Sequence, residues 1–197
     1  MITTIIFDLS EVYLGGLKGI ETLLNTKYGT KLKKSSLFKM NETNKLFHGE
    51  ISESAYWLAI IKEFKLEIGV SKLKATIREN FREINGTREI IVELKEKGFI
   101  MGLLSTHARE WIEYCESHFN LHKLFDFLLY SFNINICKPR KEPYEILLRR
   151  LNTTPSECIF IDDSAINLST AEDLGMITLK FKNAKKLKRD LKTLGIM

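Results

Sequence analysis

Several short apolar runs in this sequence lead into a polar group that can do chemistry. "TIIFD" ends in Asp8, "MGLLST" in Ser105 and Thr106, and "FIDD" in Asp162 and Asp163; Lys138 follows the run "FLLY" after a short interval, in "INICKPRKEPY". Singly, each has an ordinary explanation. An aspartate after a strand commonly makes a turn, a hydroxyl or a carboxylate can cap the next helix, and a lysine can be a solvated charge. Four in this order point instead to one crevice, because the carboxyl ends of strands line the ligand site of an open parallel sheet. Three carboxylates crowded there repel one another unless a divalent cation lies among them. All-oxygen ligation, completed by water and substrate, suits Mg²⁺. The Ser105 hydroxyl and the Lys138 ammonium offer donors to phosphate oxygens, and Lys138 also offsets charge on a transferring phosphoryl group. A carboxylate so placed can attack phosphorus and form an aspartyl-phosphate.

The elements that must position these groups are legible in the apolar pattern. Thr3–Phe7, Phe99–Leu104, Phe127–Tyr130, Cys158–Ile161 and Ile177–Phe181 are near-continuous hydrophobic runs, as expected of strands buried on both faces. Helical stretches separate the last four. In one of them, "PYEILLRRL", Tyr144, Leu147, Leu148 and Leu151 share a face. The alternation predicts an α/β fold, a Rossmann-like parallel sheet flanked by helices with right-handed crossovers. Between the first two strands the pattern changes. "KGIETLLNTKYG", "NETNKLFHG", "SESAYWLAIIKEF" and "VSKLKATIRENFRE" are helical, with Ser52 (followed by Glu53) and Ser71 as helix starts. A small all-helical cap at 15–84, inserted after strand one, is therefore expected on a core domain of 1–14 and 85–197. Trp57, Phe64 and Phe81 are expected in the cap's own core, since aromatics at helical spacing are usually buried. "NGTREIIVELKEKG" reads as a helix closed by Gly98.

Composition narrows the class. The chain has 197 residues, 44% of them hydrophobic, enough for a sizeable core. No apolar run approaches the roughly 20 residues of a membrane span, and no basic, apolar signal segment opens the chain. Three scattered cysteines, Cys115, Cys137 and Cys158, form neither a disulfide framework nor a zinc motif, so a cytoplasmic setting is expected. The net charge of +5 owes part of its excess to "KFKNAKKLKRDLKTLGIM". Ala184, Leu187, Leu191 and Leu194 recur there at helical spacing, which makes the lysines the solvated face of an amphipathic helix. No aromatics interleave with them to stack bases, which weighs against nucleic acid as a partner.

These motifs resemble those of the haloacid dehalogenase-like hydrolase superfamily, whose members are mostly Mg²⁺-dependent phosphatases. "IIFDLSEVYL" is similar to its first motif, usually Asp-x-Asp, "LLSTHARE" to its second, "CKPRKEPYEILLRRL" to its third, and "FIDDSAINLSTAEDLGM" to its fourth, with Asn167, Ala171 and Gly175 in place. "LFHGEISESAYWLAI" in the insertion resembles a cap segment of the branch of bacterial sugar-1-phosphate phosphatases. The resemblance implies that Asp8 is the nucleophile. Mg²⁺ is then held by the Asp8 side chain, the Ser10 backbone carbonyl and Asp163, with Asp162 beside it or acting through water. Ser105 binds the phosphoryl group, Lys138 orients Asp8, and Thr106 and His107 lie close enough in sequence to help line the pocket. For His107, a surface or helix-start position is expected.

Ser10 departs from the family pattern. The carboxylate usual there protonates the leaving oxygen and then activates the hydrolytic water, a contribution of about 10²–10⁴-fold. A serine hydroxyl is a poor acid and base, and Glu11, its neighbour, is expected to point elsewhere. Two functions follow. One is a phosphatase for a small phosphorylated metabolite, such as a sugar phosphate, that favours good leaving groups. The other is a catalytically impaired protein that binds metal and phosphorylated ligands in a regulatory role. A monomer or homodimer is compatible with either.

Overall fold

Every residue of strand β1 (Thr4–Phe7) is buried, and this strand is the centre of the molecule. The computed structural model describes all 197 residues. After β1 come the two-residue strand β2 (Leu14–Gly15) and helices α1 (Ile20–Tyr28), α2 (Asn41–Phe47), α3 (Glu53–Phe64) and α4 (Val70–Asn80). Strand β3 (Arg82–Glu83) then pairs antiparallel with β2. Helix α5 (Thr87–Glu96) leads to β4 (Ile100–Ser105), and α6 (Arg109–Phe119) and α7 (Leu121–Leu124) to β5 (Phe127–Tyr130). Helices α8 (Ser131–Ile134) and α9 (Lys141–Leu151) lead to β6 (Cys158–Asp162), α10 (Ala165–Asp173) to β7 (Ile177–Lys180), and α11 (Ala184–Thr193) follows. The order β5-β4-β1-β6-β7 is parallel throughout.

Period-two alternation sends Ile5 and Phe7 to one face and Ile6 to the other. The first face packs with Ile91, Leu94, Trp111 and Leu191 of α5, α6 and α11. The second packs with Leu147, Leu151, Leu168 and Ala171 of α9 and α10. A Cβ at Gly102 would lie 2.8 Å from Leu151 Cδ1 and 3.3 Å from Ile6 Cγ1, so glycine is what lets α9 sit this close to β4. The two outer strands depart from the expectation of burial on both faces. Only Leu129 of β5 is buried and no residue of β7 is, with Ile177 39% exposed. Each outer strand has a neighbour on one side only, and that leaves its free edge to solvent.

The helical insertion shares its hydrophobic core with the sheet. Leu24, Leu46, Trp57, Ile60, Leu73 and Ile77 belong to the same cluster as Ile5, Phe7 and Ile161. Trp57 and Phe81 are buried, but in this shared cluster rather than in a core of the insertion's own, and Phe64 is only half-buried. A buried carboxylate marks the join. Glu53, at the start of α3, accepts from Arg78 Nη1 at 2.9 Å and Nη2 at 2.6 Å, and from the indole nitrogens of Trp57 at 3.2 Å and Trp111 at 2.8 Å. Its own N–H donates to Glu110 at 2.9 Å. Because Trp111 and Glu110 lie on α6 and Arg78 on α4, one side chain ties two insertion helices to a helix of the sheet layer. At the base of the insertion, Arg88 bonds Glu83, the Tyr13 hydroxyl and the Phe119 carbonyl. The short β2–β3 pair there escaped sequence reading because two residues carry no periodicity.

Local chemistry accounts for some of the helix ends. The Ser52 hydroxyl caps α3 by accepting from Ala55 N at 3.2 Å. Ser71 does not cap α4; Gly69 holds the extended N-cap position, which puts Ser71 inside the first turn. Gly98, at φ 87°, ends α5 in the left-handed region that glycine tolerates. Ala184, Leu187 and Leu191 form the buried stripe of α11. Leu194 lies past its last turn and is 42% exposed, so it does not extend the stripe. The three cysteines are free, and no helix is long and apolar enough to cross a membrane.

Candidate active site

Sheet register brings the polar strand ends together. Phe7 lies opposite Leu103 on β4 and Ile161 on β6, so the next row sets Asp8 beside Asp162, and Ser105 one row further along β4. The Asp8 N–H continues the ladder to the Ile161 carbonyl at 2.8 Å. The chain then coils tightly. The Leu9 carbonyl accepts from Tyr13 N and Leu14 N, both at 2.9 Å, and Ser10 bridges to Leu14. Lys138 arrives from the loop before α9, its N–H donating to Thr106 Oγ1 at 3.2 Å. Its ammonium donates to Asp8 Oδ1 at 2.7 Å and to Asp162 Oδ2 at 2.8 Å, with all three side chains buried.

The carboxylates differ in what they have left to give. Asp162 accepts from Ser164 N at 2.8 Å, from Asn167 Nδ2 at 3.2 and 3.0 Å, and from Lys138, so both its oxygens are engaged. Asp163 is half-buried and makes no hydrogen bond or ion pair, and Asp8 has an oxygen that Lys138 does not use. Ligand atoms of Asp8, Asp162 and Asp163 lie within 4.8 Å of one another, a separation that one hard cation spans. Burial lifts the Asp8 carboxyl to about 7, with Lys138 pulling it down and Asp162 pushing it up. Burial likewise raises Asp163, and Asp162 adds to the effect. For Lys138 burial pulls down, but Asp8 and Asp162 outweigh it and hold the ammonium well above its ordinary range. A cluster with this surplus of unneutralised carboxylate oxygen is one that a divalent cation relieves.

Two hydroxyls complete the pattern. The Oγ atoms of Ser10 and Ser105 are buried without a hydrogen-bond partner. Orphaned buried donors are costly, and Ser105 ends the strand next to β1, one row past the level of Asp8. The Thr106 hydroxyl is already engaged in holding the backbone of Lys138. Glu11, in the left-handed region at φ 61°, turns its carboxylate to the N–H groups of Gly16 and Lys18. His107 is not at the surface. It is buried against Phe81 and Trp111, its ring centroids 5.8 and 5.6 Å from theirs, with Nδ1 unpartnered and burial pushing its pKa down to about 4. It starts no helix either, because Ala108 is the N-cap of α6. The sequence signalled Asn167, two residues into α10, but not that its amide would occupy Asp162. Glu53 carried no signal beyond its place after a capping serine.

Comparison with known proteins agrees with this architecture. The family described as "Haloacid dehalogenase-like hydrolase" matches residues 5–181. Bifunctional epoxide hydrolase 2 of Mus musculus is 28% identical over 174 residues, 78% of this chain and 30% of that protein. Flavin mononucleotide hydrolase 1 of Arabidopsis thaliana is 30% identical over 135 residues, 68% of this chain and 53% of that protein. The chain thus spans about half or less of these curated relatives' length. In fold it is similar to a haloacid dehalogenase family enzyme of Bacteroides thetaiotaomicron, crystallised with magnesium and inorganic phosphate. The TM-score is 0.77 at 19% identity, covering 93% of this chain and 96% of the other. With a family match that runs from β1 to the end of β7, nearly the whole parallel sheet domain and its insertion, the chain belongs to the haloacid dehalogenase-like hydrolases.

Proposed function

We propose that this hydrolase is a phosphatase acting on a small phosphorylated metabolite, with Asp8 as its covalent nucleophile. The observation that carries the reading is the Asp8–Lys138–Asp162 arrangement, with the unpartnered Ser105 hydroxyl at the end of the neighbouring strand. One Asp8 oxygen is held by Lys138 and the other is left to attack. Asp8 Oδ attacks phosphorus, the ester oxygen leaves, and an aspartyl-phosphate remains for water to cleave. Ser105 donates to a phosphoryl oxygen, Lys138 orients Asp8 and offsets charge on the transferring group, and Asp162 holds Lys138 in place. Thr106 acts through the backbone of Lys138. We assign residues 15–84 as a cap over this site.

Asp8, the Ser10 carbonyl and Asp163 would hold Mg²⁺, with Asp162 beside them. The free Asp163 carboxylate and the closeness of the three carboxylates support this, as does the magnesium in the Bacteroides enzyme. The ion would supply charge neutralisation for the phosphoryl oxygens. Ser10 leaves the leaving oxygen without a strong acid, which favours esters whose leaving groups need little protonation, such as anomeric sugar phosphates, acyl phosphates and aryl phosphates. The purified chain should release p-nitrophenol from p-nitrophenyl phosphate in Mg²⁺ and not in EDTA, and Asp8→Asn should abolish it. Absence of metal-dependent turnover across a broad phosphate panel would sink the reading.

Ser10 also favours a second reading, a regulatory protein that binds metal and phosphorylated ligands with little turnover. Intact mass after mixing with acetyl phosphate separates an intermediate case. An aspartyl-phosphate that accumulates shows that attack proceeds while water activation fails.

A further inference from the structure

We infer that the cleft beside Asp163 binds a second phosphate of the substrate, so that the preferred substrate is a bisphosphorylated metabolite. This rests on the phosphatase reading above. Asp8, Lys138, Ser105 and Asp162 are nearly closed off from solvent. Over Trp111 the insertion is fastened by Glu53 and packed with Phe47, Tyr56 and Phe81, which opposes opening there. A cavity of about 410 Å³ reaches Asp163 from another direction, with Glu11, Lys18, Lys180, Lys182 and Asn183 on its walls.

Charge gives this cleft its chemistry. Lys18, Lys180 and Lys182 are exposed, and no carboxylate oxygen lies within 4.0 Å of any of their ammonium groups. Of the two acidic residues on the walls, Glu11 is engaged by two backbone N–H groups and Asp163 is assigned to the cation. Three lysines free of close ion pairs therefore line, together with Glu11 and Asp163, a space large enough for a phosphate and part of a sugar; Lys18 is near enough to Asp163 to feel its charge. Their placement follows from the fold. Lys180 lies opposite Asp162 in the β6–β7 register, and the bond from Lys18 N to Glu11 at 3.0 Å pins the loop that carries Lys18. The positive surface continues past Asn183 to Lys185, Lys186 and Arg189, which line an adjoining cavity of about 360 Å³. Unpaired charge of one sign in a cleft concentrates and orients ligands of the other. A single phosphate is already accounted for at Asp8, so these lysines call for another anionic group on the same molecule.

The test compares glucose 1,6-bisphosphate with glucose 1-phosphate. Kd is measured calorimetrically in Mg²⁺ on the full chain carrying Asp8→Asn, and kcat/KM on the unaltered chain. The bisphosphate should be favoured by about tenfold or more. Lys18→Ala, Lys180→Ala and Lys182→Ala together should bring the ratio close to one, and raised salt should shrink it. A ratio near one with the lysines present, or a preference that survives their removal, overturns the inference. So does stimulation of glucose 1-phosphate turnover by inorganic phosphate, which would make the cleft a site for a free anion. If neither compound is hydrolysed, that counts against the phosphatase reading, while the Kd ratio still decides the cleft.

Discussion

Glu53→Gln should be among the most destabilising conservative changes in this protein. Oε1 accepts from Trp57, Trp111 and Arg78, and Oε2 accepts the shortest bond of the set, from Arg78 Nη2 at 2.6 Å. A glutamine can keep its carbonyl at the first position, but its NH₂ then faces the Arg78 donor. One bond becomes a donor–donor contact and a buried cation loses its counter-charge. Removing one partner of a buried pair costs about 3–5 kcal/mol. The Arg78 side chain is 24% exposed and can turn partly to water, so the lower end, about 3 kcal/mol, is expected. Against a total stability of about 5–15 kcal/mol that is a large share, and it corresponds to a fall in Tm of roughly 6–12 °C for a chain of this size. Both tryptophans of the protein donate to Glu53, so urea unfolding followed by their fluorescence reports on this junction. Sheet and insertion share one core cluster, so circular dichroism should give the same single transition. Glu53→Gln combined with Arg78→Met should recover much of the loss by removing the stranded charge. A loss below about 1 kcal/mol, or an insertion that melts separately while the sheet stays folded, would refute the reasoning.

Three further outcomes follow. Ser10→Asp restores a carboxylate at the acid/base position and should raise turnover of poor leaving groups by about 10²-fold or more with a smaller gain on aryl phosphates; no gain on either favours the regulatory reading. His107 is held neutral in the fold with its pKa near 4, below the ordinary 6.5. The unfolded chain therefore takes up the proton first, and stability from this group is full above pH 6.5 and is lost as pH falls towards 4, at about 1.4 kcal/mol per unit. Urea melts at pH 7 and pH 5 should show wild type losing about 2 kcal/mol more than His107→Gln, and equal losses would count against it. Gly102→Ala forces a Cβ to 2.8 Å from Leu151 Cδ1 and should cost about 1–3 kcal/mol by overpacking; Gly102→Ala with Leu151→Val should regain part of it, as chemical denaturation would show.

All five strands of the sheet lie within a residue or so of where the apolar runs placed them. For the three inner strands the reason is that a strand buried among helices needs hydrophobic residues along its length, while the outer two carry apolar runs though they are only partly covered. The same locality carries the candidate site. Asp8, Ser105 and Asp162 sit at strand ends, and parallel pairing aligns strand ends. Features that depend on contacts between distant segments did not show in the pattern. Asp162 and Asp163 are adjacent and chemically identical, yet Lys138, Ser164 and Asn167 occupy the first and leave the second free. Glu53 resembles any acidic residue in a first helical turn until folding brings Trp111, 58 residues on, to its carboxylate. His107 follows two polar residues, but Phe81 and Trp111 close over it. Ser10 was visible as a missing carboxylate from the start, and folding adds that its hydroxyl is buried with no partner. Periodicity and strand-end chemistry are properties of neighbours along the chain; burial, charge pairing and the identity of the free ligand belong to neighbours in space.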